Sequence, residues 1–285
     1  MSQYIKKSEN KVTVPALQKM YQTGEKITML TVYDATMARL VDDAGMDMVL
    51  VGDSLGMVVK GEASTLTVSI EDLIYHTQCV ASSVKRAHIM ADMPFMSYQA
   101  SYEDAVKNAG LLLKAGAESV KLEGGEELTD LVWYLTKIGI PVMGHIGLKP
   151  QSVHMMGGYK VQGKTKKEAD LLVEEAKMLE EAGAFSLLLE GIPVEVADEV
   201  TRAVQIPTIG IGSGPNVSGQ VLVIYDLLGA NPDFKPRFVK QYANLYELTQ
   251  KAFSEYIREV KDGKFPAQDH CVHQNLVMVK NEKQK

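Results

Sequence analysis

The sequence predicts an α/β fold: a (β/α)8 barrel of the TIM type with a C-terminal helical extension. Three observations predict it. Eight short β-rich apolar runs punctuate the chain, most gaps between them carry a helical pattern, and the pattern changes after Asn231. Strands that alternate with helices form parallel sheets. Strands covered on both faces read as near-continuous apolar runs. Eight such units in about 230 residues suit a closed barrel, with a doubly wound open sheet as the alternative.

The runs are ITMLTVYD, DMVLVGD, AHIMAD, ESVKLEG, IPVMGHI, FSLLLEG, IPTIGIG and QVLVIYD. Behind the first, Ala35 to Ala44 is helical and Gly45 supplies a C-cap. Ser69-Ile-Glu-Asp72 has the form of a helix start before LIYHTQCVASSVKR, and Ser101-Tyr-Glu-Asp104 does the same for AVKNAGLLLKAGA. Lys166 to Ala182 is strongly amphipathic and stops at Gly183. One gap misfits: Gly212 to Gln220 is short for a crossover helix. Phe238 to Val260 reads as one long helix. Val239, Tyr242, Leu248, Phe253, Tyr256, Ile257 and Val260 would form its broad apolar face, capping the barrel or packing on another subunit. Residues 274–285 are mostly charged or polar and are expected to be loose. No Pro/Ser-rich linker divides the chain, so residues 1–285 are expected to form a single domain. The barrel would span about 24–230, the helical extension about 231–262 and the tail about 263–285.

A hydrophobic content of 46% over 285 residues supports a large core. The formal net charge of −6 argues against a nucleic-acid partner or an anionic membrane surface. The start, MSQYIKKSENKVTV, has no apolar segment of the secretory kind, and no run approaches the roughly 18 residues that span a bilayer. Cys79 and Cys271 make neither a disulfide framework nor a metal quartet; they read as reduced thiols in a cytoplasmic protein.

The carboxyl ends of the runs carry the chemistry. Tyr33 and Asp34 follow the first, Asp53 and Ser54 the second, Asp92 the third. Lys121 and Glu123 close the fourth, His145 follows the fifth and Glu190 ends the sixth. In a parallel barrel these ends gather at one face, where barrel active sites lie. Lys121 and Glu123 are two apart and point to the same side of their strand. Buried carboxylates without partners are costly or change protonation state, so several at one mouth require cations. Lys121 is one; a divalent ion is a natural second. Asp53 and Asp92 offer hard oxygen ligands on adjacent strands, and two carboxylates with waters and a chelating substrate suit octahedral Mg²⁺. Zinc fits less well, because His145 has no second His or Cys at ligand spacing.

Each residue alone has a plainer role. An Asp after a strand caps a helix or forms a turn. Lys121 with Glu123 makes a structural ion pair, His145 a rim histidine, and Glu190 a loop residue. Their convergence favours a site. Outside it, Asp34 reads as a helix cap and His76 and Cys79 as packing or surface residues. Met90, Met93 and Met96 read as core filler. His88, His154, His270 and His273 have no identifiable partner in the sequence.

Two segments imitate phosphate sites. Gly158 to Thr165 matches G-x-x-x-x-G-K-[ST], and a helix follows, but the preceding KPQSVHMMG is not a strand. An ATPase reading rests on this segment. The alternative is an insertion after strand five that covers a substrate. Gly210-Ile-Gly212-Ser-Gly214 is either an anion-binding turn or a plain tight turn.

The segments LTVYDA, VGDSLGMVV, STLTVSIEDLIYHT, ADMPFMSY, AGAESVKLEGG, GHIGLKPQSVHMMGGYKVQG, LLLEGIP and IPTIGIGSG resemble the ketopantoate hydroxymethyltransferase family over roughly residues 29 to 229. The resemblance implies the barrel fold. It also implies one Mg²⁺ per subunit, a small-molecule 2-oxo acid and 5,10-methylenetetrahydrofolate as substrates, and a decameric homo-oligomer. The family's metal ligands fall on Asp53 and Asp92, with Glu123 as the supporting carboxylate. Its substrate contacts fall on Asp53, Ser54, Asp92, Lys121 and His145, and its catalytic base on Glu190. The sequence departs from the family at Ser218, usually acidic, at Tyr225, usually histidine, and at Lys60, usually apolar. Those departures touch folate contacts and local packing more than the metal centre.

The implied reaction passes through an enolate of 3-methyl-2-oxobutanoate that attacks the one-carbon unit of the folate, giving 2-dehydropantoate (ketopantoate). Mg²⁺ would polarise the keto group, Lys121, His145 and Ser54 would orient the carboxylate, and a partly desolvated Glu190 would move protons. A second reading is another Mg²⁺-dependent barrel enzyme, a lyase or mutase acting on 2-oxo acids. A non-catalytic scaffold would leave the charged strand ends without compensation.

Overall fold

The structure, a computed structural model, describes residues 11–233 and 235–272. The tail segment 274–285 and His273 lie outside the described residues. Eight strands close in sequence order into a parallel barrel: β1 (Ile27–Thr31), β2 (Met48–Val51), β3 (His88–Asp92), β4 (Ser119–Glu123), β5 (Val142–Gly147), β6 (Ser186–Glu190), β7 (Thr208–Ile211) and β8 (Gly219–Leu222). The helices are α1 (Val14–Thr23), α2 (Ala35–Asp43), α3 (Leu55–Val58), α4 (Ile70–Ala81), α5 (Tyr102–Ala115), α6 (Thr129–Lys137), α7 (Lys166–Glu181), α8 (Val194–Ala203), α9 (Ile224–Leu228) and α10 (Leu245–Lys261). No helix among the described residues is long and apolar enough to cross a membrane.

Helix starts follow their local chemistry. Ser69 with Asp72 and Thr165 with Glu168 form reciprocal capping boxes at α4 and α7. Ser101 caps α5 by accepting the Asp104 N–H. Two apolar layers result. Outward residues such as Val49, Val51, Val120 and Leu122 pack under the helices. Inward residues such as Met29, Met48, Leu50, Met90, Met143, Leu188 and Val221 fill the barrel.

Period-two alternation then decides what each inward stripe presents at its top. On β3 the stripe runs His88, Met90, Asp92; on β4 it runs Ser119, Lys121, Glu123; on β6 it runs Ser186, Leu188, Glu190. The same stripe that is apolar mid-barrel becomes charged at the carboxyl end.

Three elements differ from the sequence reading, and the short gap after β7 holds no helix, as its length implied. Helix α1 was not expected: its Leu17 is fully buried and joins Val12, Ile27 and Phe185 in the inner core cluster. The run QVLVIYD is strand only to Leu222, because Ile224–Leu228 turns helical. Residues 212–218 connect β7 to β8 without a helix, and the strands still pair in parallel, Ile209 beside Gly219. Buried Val217 fills the wall there: a Cβ on Gly210 would lie 3.0 Å from its Cγ2. Finally, α10 begins at Leu245, not Phe238, because Asn244 caps it by accepting the Glu247 N–H. No residue of α10 is buried, and Leu248, Phe253, Tyr256, Ile257 and Val260 are all exposed. Val239, assigned to that face from sequence, is buried ahead of the helix.

Candidate active site

Asp53, Ser54, Asp92, Lys121, Glu123, His145 and Glu190 line one cavity of about 470 Å³ at the carboxyl ends of the strands. Its remaining wall includes Leu50, Leu188, Ile211 and Val221, and Tyr159 and Val161 of the segment after β5 also line it. A larger groove of about 780 Å³ runs along the flank past Lys26, Gln220 and Arg237, but none of the strand-end carboxylates lines it. The charged cavity is therefore the candidate site.

The three carboxylates share one pattern: one oxygen tied by an uncharged N–H donor and one left over. Asp92 Oδ2 accepts the Asp53 backbone N–H at 2.9 Å. Asp53 Oδ2 accepts the Gln151 side-chain amide at 2.8 Å. Glu123 Oε2 accepts the Gln151 backbone N–H at 2.9 Å. A Cβ at Gly52 would crowd Ser54 Oγ at 3.0 Å and touch Asp92 Oδ2 at 3.4 Å. The leftover Asp92 Oδ1 and Glu123 Oε1 are buried and make no hydrogen bond among the described residues. Lys121 Nζ lies 3.1 Å from the former and 3.7 Å from the latter, close enough for attraction without hydrogen-bond geometry.

Charge sets the protonation preferences. Burial, then the neighbouring Asp92 and Glu123 charges, pushes Asp53 well above the usual carboxylate range. Burial also raises Asp92, although Lys121 opposes it. For Lys121 burial works against the ammonium, but Asp92, Glu123 and Asp53 outweigh it and hold the proton firmly. Glu123 is buried too, yet His145 and Lys121 pull it below its ordinary value. His145 is disfavoured as a cation by burial and by Lys121; Glu123 and Glu190 reverse that and raise it.

His145 joins the two sides of the site. Its Nδ1 lies 3.1 Å from Lys121 Nζ and 3.5 Å from Glu123 Oε1, and its Nε2 lies 3.4 Å from Glu190 Oε2. An ammonium only donates, so Nδ1 accepts from Lys121 in the neutral ring and Nε2–H faces Glu190. In the charged ring Nδ1–H turns to Glu123. Ser54 is held from the other side: Tyr33 donates to Thr31 Oγ1 at 2.8 Å and so accepts from Ser54 Oγ at 2.9 Å.

Four strand-end carboxylates, Glu190 included, thus face one ammonium and one imidazole. The excess negative charge, the two orphaned oxygens and the all-oxygen donor set fit a hard divalent cation at Asp53 and Asp92. Among the described residues no three His, Cys, Asp or Glu side chains form a metal cluster by themselves. Such a cation would therefore draw further ligands from substrate and water.

The sequence profile described as ketopantoate hydroxymethyltransferase matches residues 11–268. The chain belongs to this family. Relatives named 3-methyl-2-oxobutanoate hydroxymethyltransferase include that of Thermotoga sp. (strain RQ2), 55% identical over 259 residues, covering 91% of this chain and 96% of the relative. That of Syntrophus aciditrophicus (strain SB) is 53% identical over 261 residues, covering 91% and 96%. Among solved structures, phosphonopyruvate hydrolase in complex with oxalate and Mg++ superposes with a TM-score of 0.59 at 14% identity, covering 92% of each chain. A 2,3-dimethylmalate lyase gives 0.56 at 16% identity, covering 93% of this chain and 91% of that one. These two likenesses show the barrel.

Within this hydroxymethyltransferase family member, the two phosphate-like segments have structural roles. No strand enters Gly158–Thr165: β5 ends at Gly147 and a short 3-10 turn, Pro150–Ser152, intervenes. The Thr165 hydroxyl caps α7. In the glycine turn after β7, Ser213 Oγ donates to the Leu189 carbonyl at 2.7 Å, and Gly214 packs so closely that a Cβ would meet Val194.

Asp34 caps α2 through the Met37 N–H. His76 Nδ1 lies 2.6 Å from the Tyr33 carbonyl, and His88 Nε2 lies 2.8 Å from Ser119 Oγ. The departures from the family pattern have partners as well. Lys60 pairs with Asp72 at 2.8 Å, Tyr225 stacks on Tyr33, and Ser218 Oγ accepts the Thr208 N–H. Sequence reasoning missed Gln151 and Tyr98, whose hydroxyl lies 2.9 Å from Gln151 Oε1. A Gln in a polar loop gives no signal that its side chain turns inward.

Proposed function

We propose that the chain transfers a hydroxymethyl group from 5,10-methylenetetrahydrofolate to 3-methyl-2-oxobutanoate, giving 2-dehydropantoate, with one Mg²⁺ per subunit. The observation that carries this reading is the pair Asp53 and Asp92 on adjacent strands, each with one oxygen tied and one left over, beside buried Lys121. The names of the relatives support the substrate. Asp53 and Asp92 would hold the ion, with Glu123 supporting them through Lys121 and His145.

When bound, Mg²⁺ supplies Lewis-acid polarisation of the keto group. Lys121, His145 and the Ser54 backbone N–H orient the substrate carboxylate and favour developing negative charge. Leu50, Leu188, Ile211 and Val221 offer an apolar wall to the branched alkyl group. Glu190 moves protons: its side chain is 22% exposed, so it reaches both the cavity and His145. Tyr159 and Val161 limit water at the mouth. We also propose a homo-oligomer working in the cytoplasm; the apolar face of α10 supports the association.

The test is incubation of the protein with 3-methyl-2-oxobutanoate, methylenetetrahydrofolate and Mg²⁺, read by mass for 2-dehydropantoate. Consumption of the oxo acid that ignores the folate would replace this reading with a lyase or mutase.

A further inference from the structure

We propose that Gln151 is the positioning residue of the cation site: it selects which carboxylate oxygens face the cavity. The proposal rests on the Mg²⁺-dependent reading above and is carried by Gln151's own contacts. Gln151 is buried, and both ends of its amide meet polar partners, the Tyr98 hydroxyl dividing its one proton between Gln151 Oε1 and the Glu123 carbonyl. Nε2 donates to Asp53 Oδ2 at 2.8 Å and to the Met93 carbonyl at 3.0 Å. Oε1 receives Tyr98 Oη at 2.9 Å and Gln99 Nε2 at 3.3 Å. The orientation is not arbitrary. A carbonyl can only accept, so the amide end facing Met93 is the nitrogen, and the same nitrogen must meet Asp53.

The backbone N–H of the same residue ties Glu123 Oε2. One residue therefore sets two of the three carboxylates. Pro150 begins the 3-10 turn that carries it, and Gln151 Nε2, Met93 O and the Glu123 tether lock that turn to the ends of β2, β3 and β4. Asp53 is thereby held by one oxygen, with the other turned to the cavity. The donor is neutral, so it orients the carboxylate without cancelling the charge that attracts the ion. A side chain that fixes a ligand from behind typically changes metal affinity by about 10–100-fold when removed.

The test compares Gln151→Met and Gln151→Glu with the unmodified chain. Mg²⁺ affinity is measured by calorimetry with 3-methyl-2-oxobutanoate present, and the Mg²⁺ activation constant by product formation. Met keeps the volume and removes both donors. Glu keeps the shape and sets acceptors against Asp53 and Met93. Both variants should bind Mg²⁺ about 10–100-fold more weakly, Glu the worse, with kcat at saturating Mg²⁺ less affected than the activation constant. Tyr98→Phe, which removes the hydroxyl beside Gln151 Oε1 and with it the acceptor of the Glu123 N–H, should shift the activation constant in the same direction by a smaller factor.

Variants that melt earlier but keep the Mg²⁺ constant would overturn the proposal, since packing alone predicts that result. If Gln151→Met does not fold, an unchanged activation constant in Tyr98→Phe overturns it. An unmodified chain that binds no Mg²⁺ and makes no product overturns the underlying reading as well, and is distinguishable because it needs no variant.

Discussion

His88 offers a stability measurement that separates the barrel floor from the active-site rim. Its ring is buried, with Nε2 on Ser119 Oγ and its face against Phe185. Among the described residues Nδ1 makes no well-formed hydrogen bond; Glu118 lies 3.8 Å away, tied up by Lys11 at 2.8 Å. Burial is the main reason its pKa falls to about 4 from 6.5; Glu118 pulls it up and Lys11 pushes it down. Below pH 6.5 the unfolded chain takes a proton that the folded chain refuses until pH 4. Stability contributed by the neutral ring is thus complete above 6.5 and lost as pH falls toward 4. The gap of about 2.5 pH units corresponds to about 3 kcal/mol. Asp53 and Asp92, both raised, act with the opposite sign in the same window. Only a difference therefore isolates His88. Urea unfolding of the native chain and of His88→Gln from pH 7.5 to pH 4 should show the native chain's relative stability falling by about 3 kcal/mol. Parallel curves would refute the reasoning, because they would mean the ring ionises freely in the fold.

Three other outcomes follow from the geometry. Asp53→Ala should abolish Mg²⁺-dependent binding of the 2-oxo acid in calorimetry; undiminished binding would remove Asp53 from the centre. Glu190→Gln should preserve that binding and lower turnover by about 10²–10⁴-fold, and near-normal turnover would count against it as the base. Leu17→Ala, at the fully buried position on α1, should cost about 2–5 kcal/mol in urea unfolding without altering Mg²⁺ affinity.

The barrel was legible because its signal is periodic and local. Apolar runs, caps and glycines report strand and helix, and they placed seven charged or polar residues at one end of one sheet. Context-dependent elements were not legible. Helix α1 spans only ten residues with no side-chain N-cap bond, and is held by burial of Leu17 and by Tyr21 Oη donating to the Val204 carbonyl, a contact 183 residues away. The start of α10 depends on Asn244, one polar residue among several in that stretch. Gln151 donates to Asp53 across 98 residues, and nothing near it in sequence announces that contact.

The tethers also explain why the site lacks arginine. No arginine lines the cavity, although five occur in the chain. A guanidinium meets a carboxylate with two parallel N–H bonds and occupies both oxygens. That would satisfy Asp53 or Asp92 completely and leave nothing for an ion. Backbone and amide donors occupy one oxygen each and add no charge. Lys121, a compact ammonium, attracts Asp92 and Glu123 from 3.1 and 3.7 Å without closing hydrogen bonds to their leftover oxygens. The chain is thus organised to keep carboxylates oriented but under-neutralised. On the proposed Mg²⁺-dependent reading, an arginine introduced at Gln151 should therefore pair with Asp53 and abolish Mg²⁺ binding in calorimetry; undiminished binding would refute this.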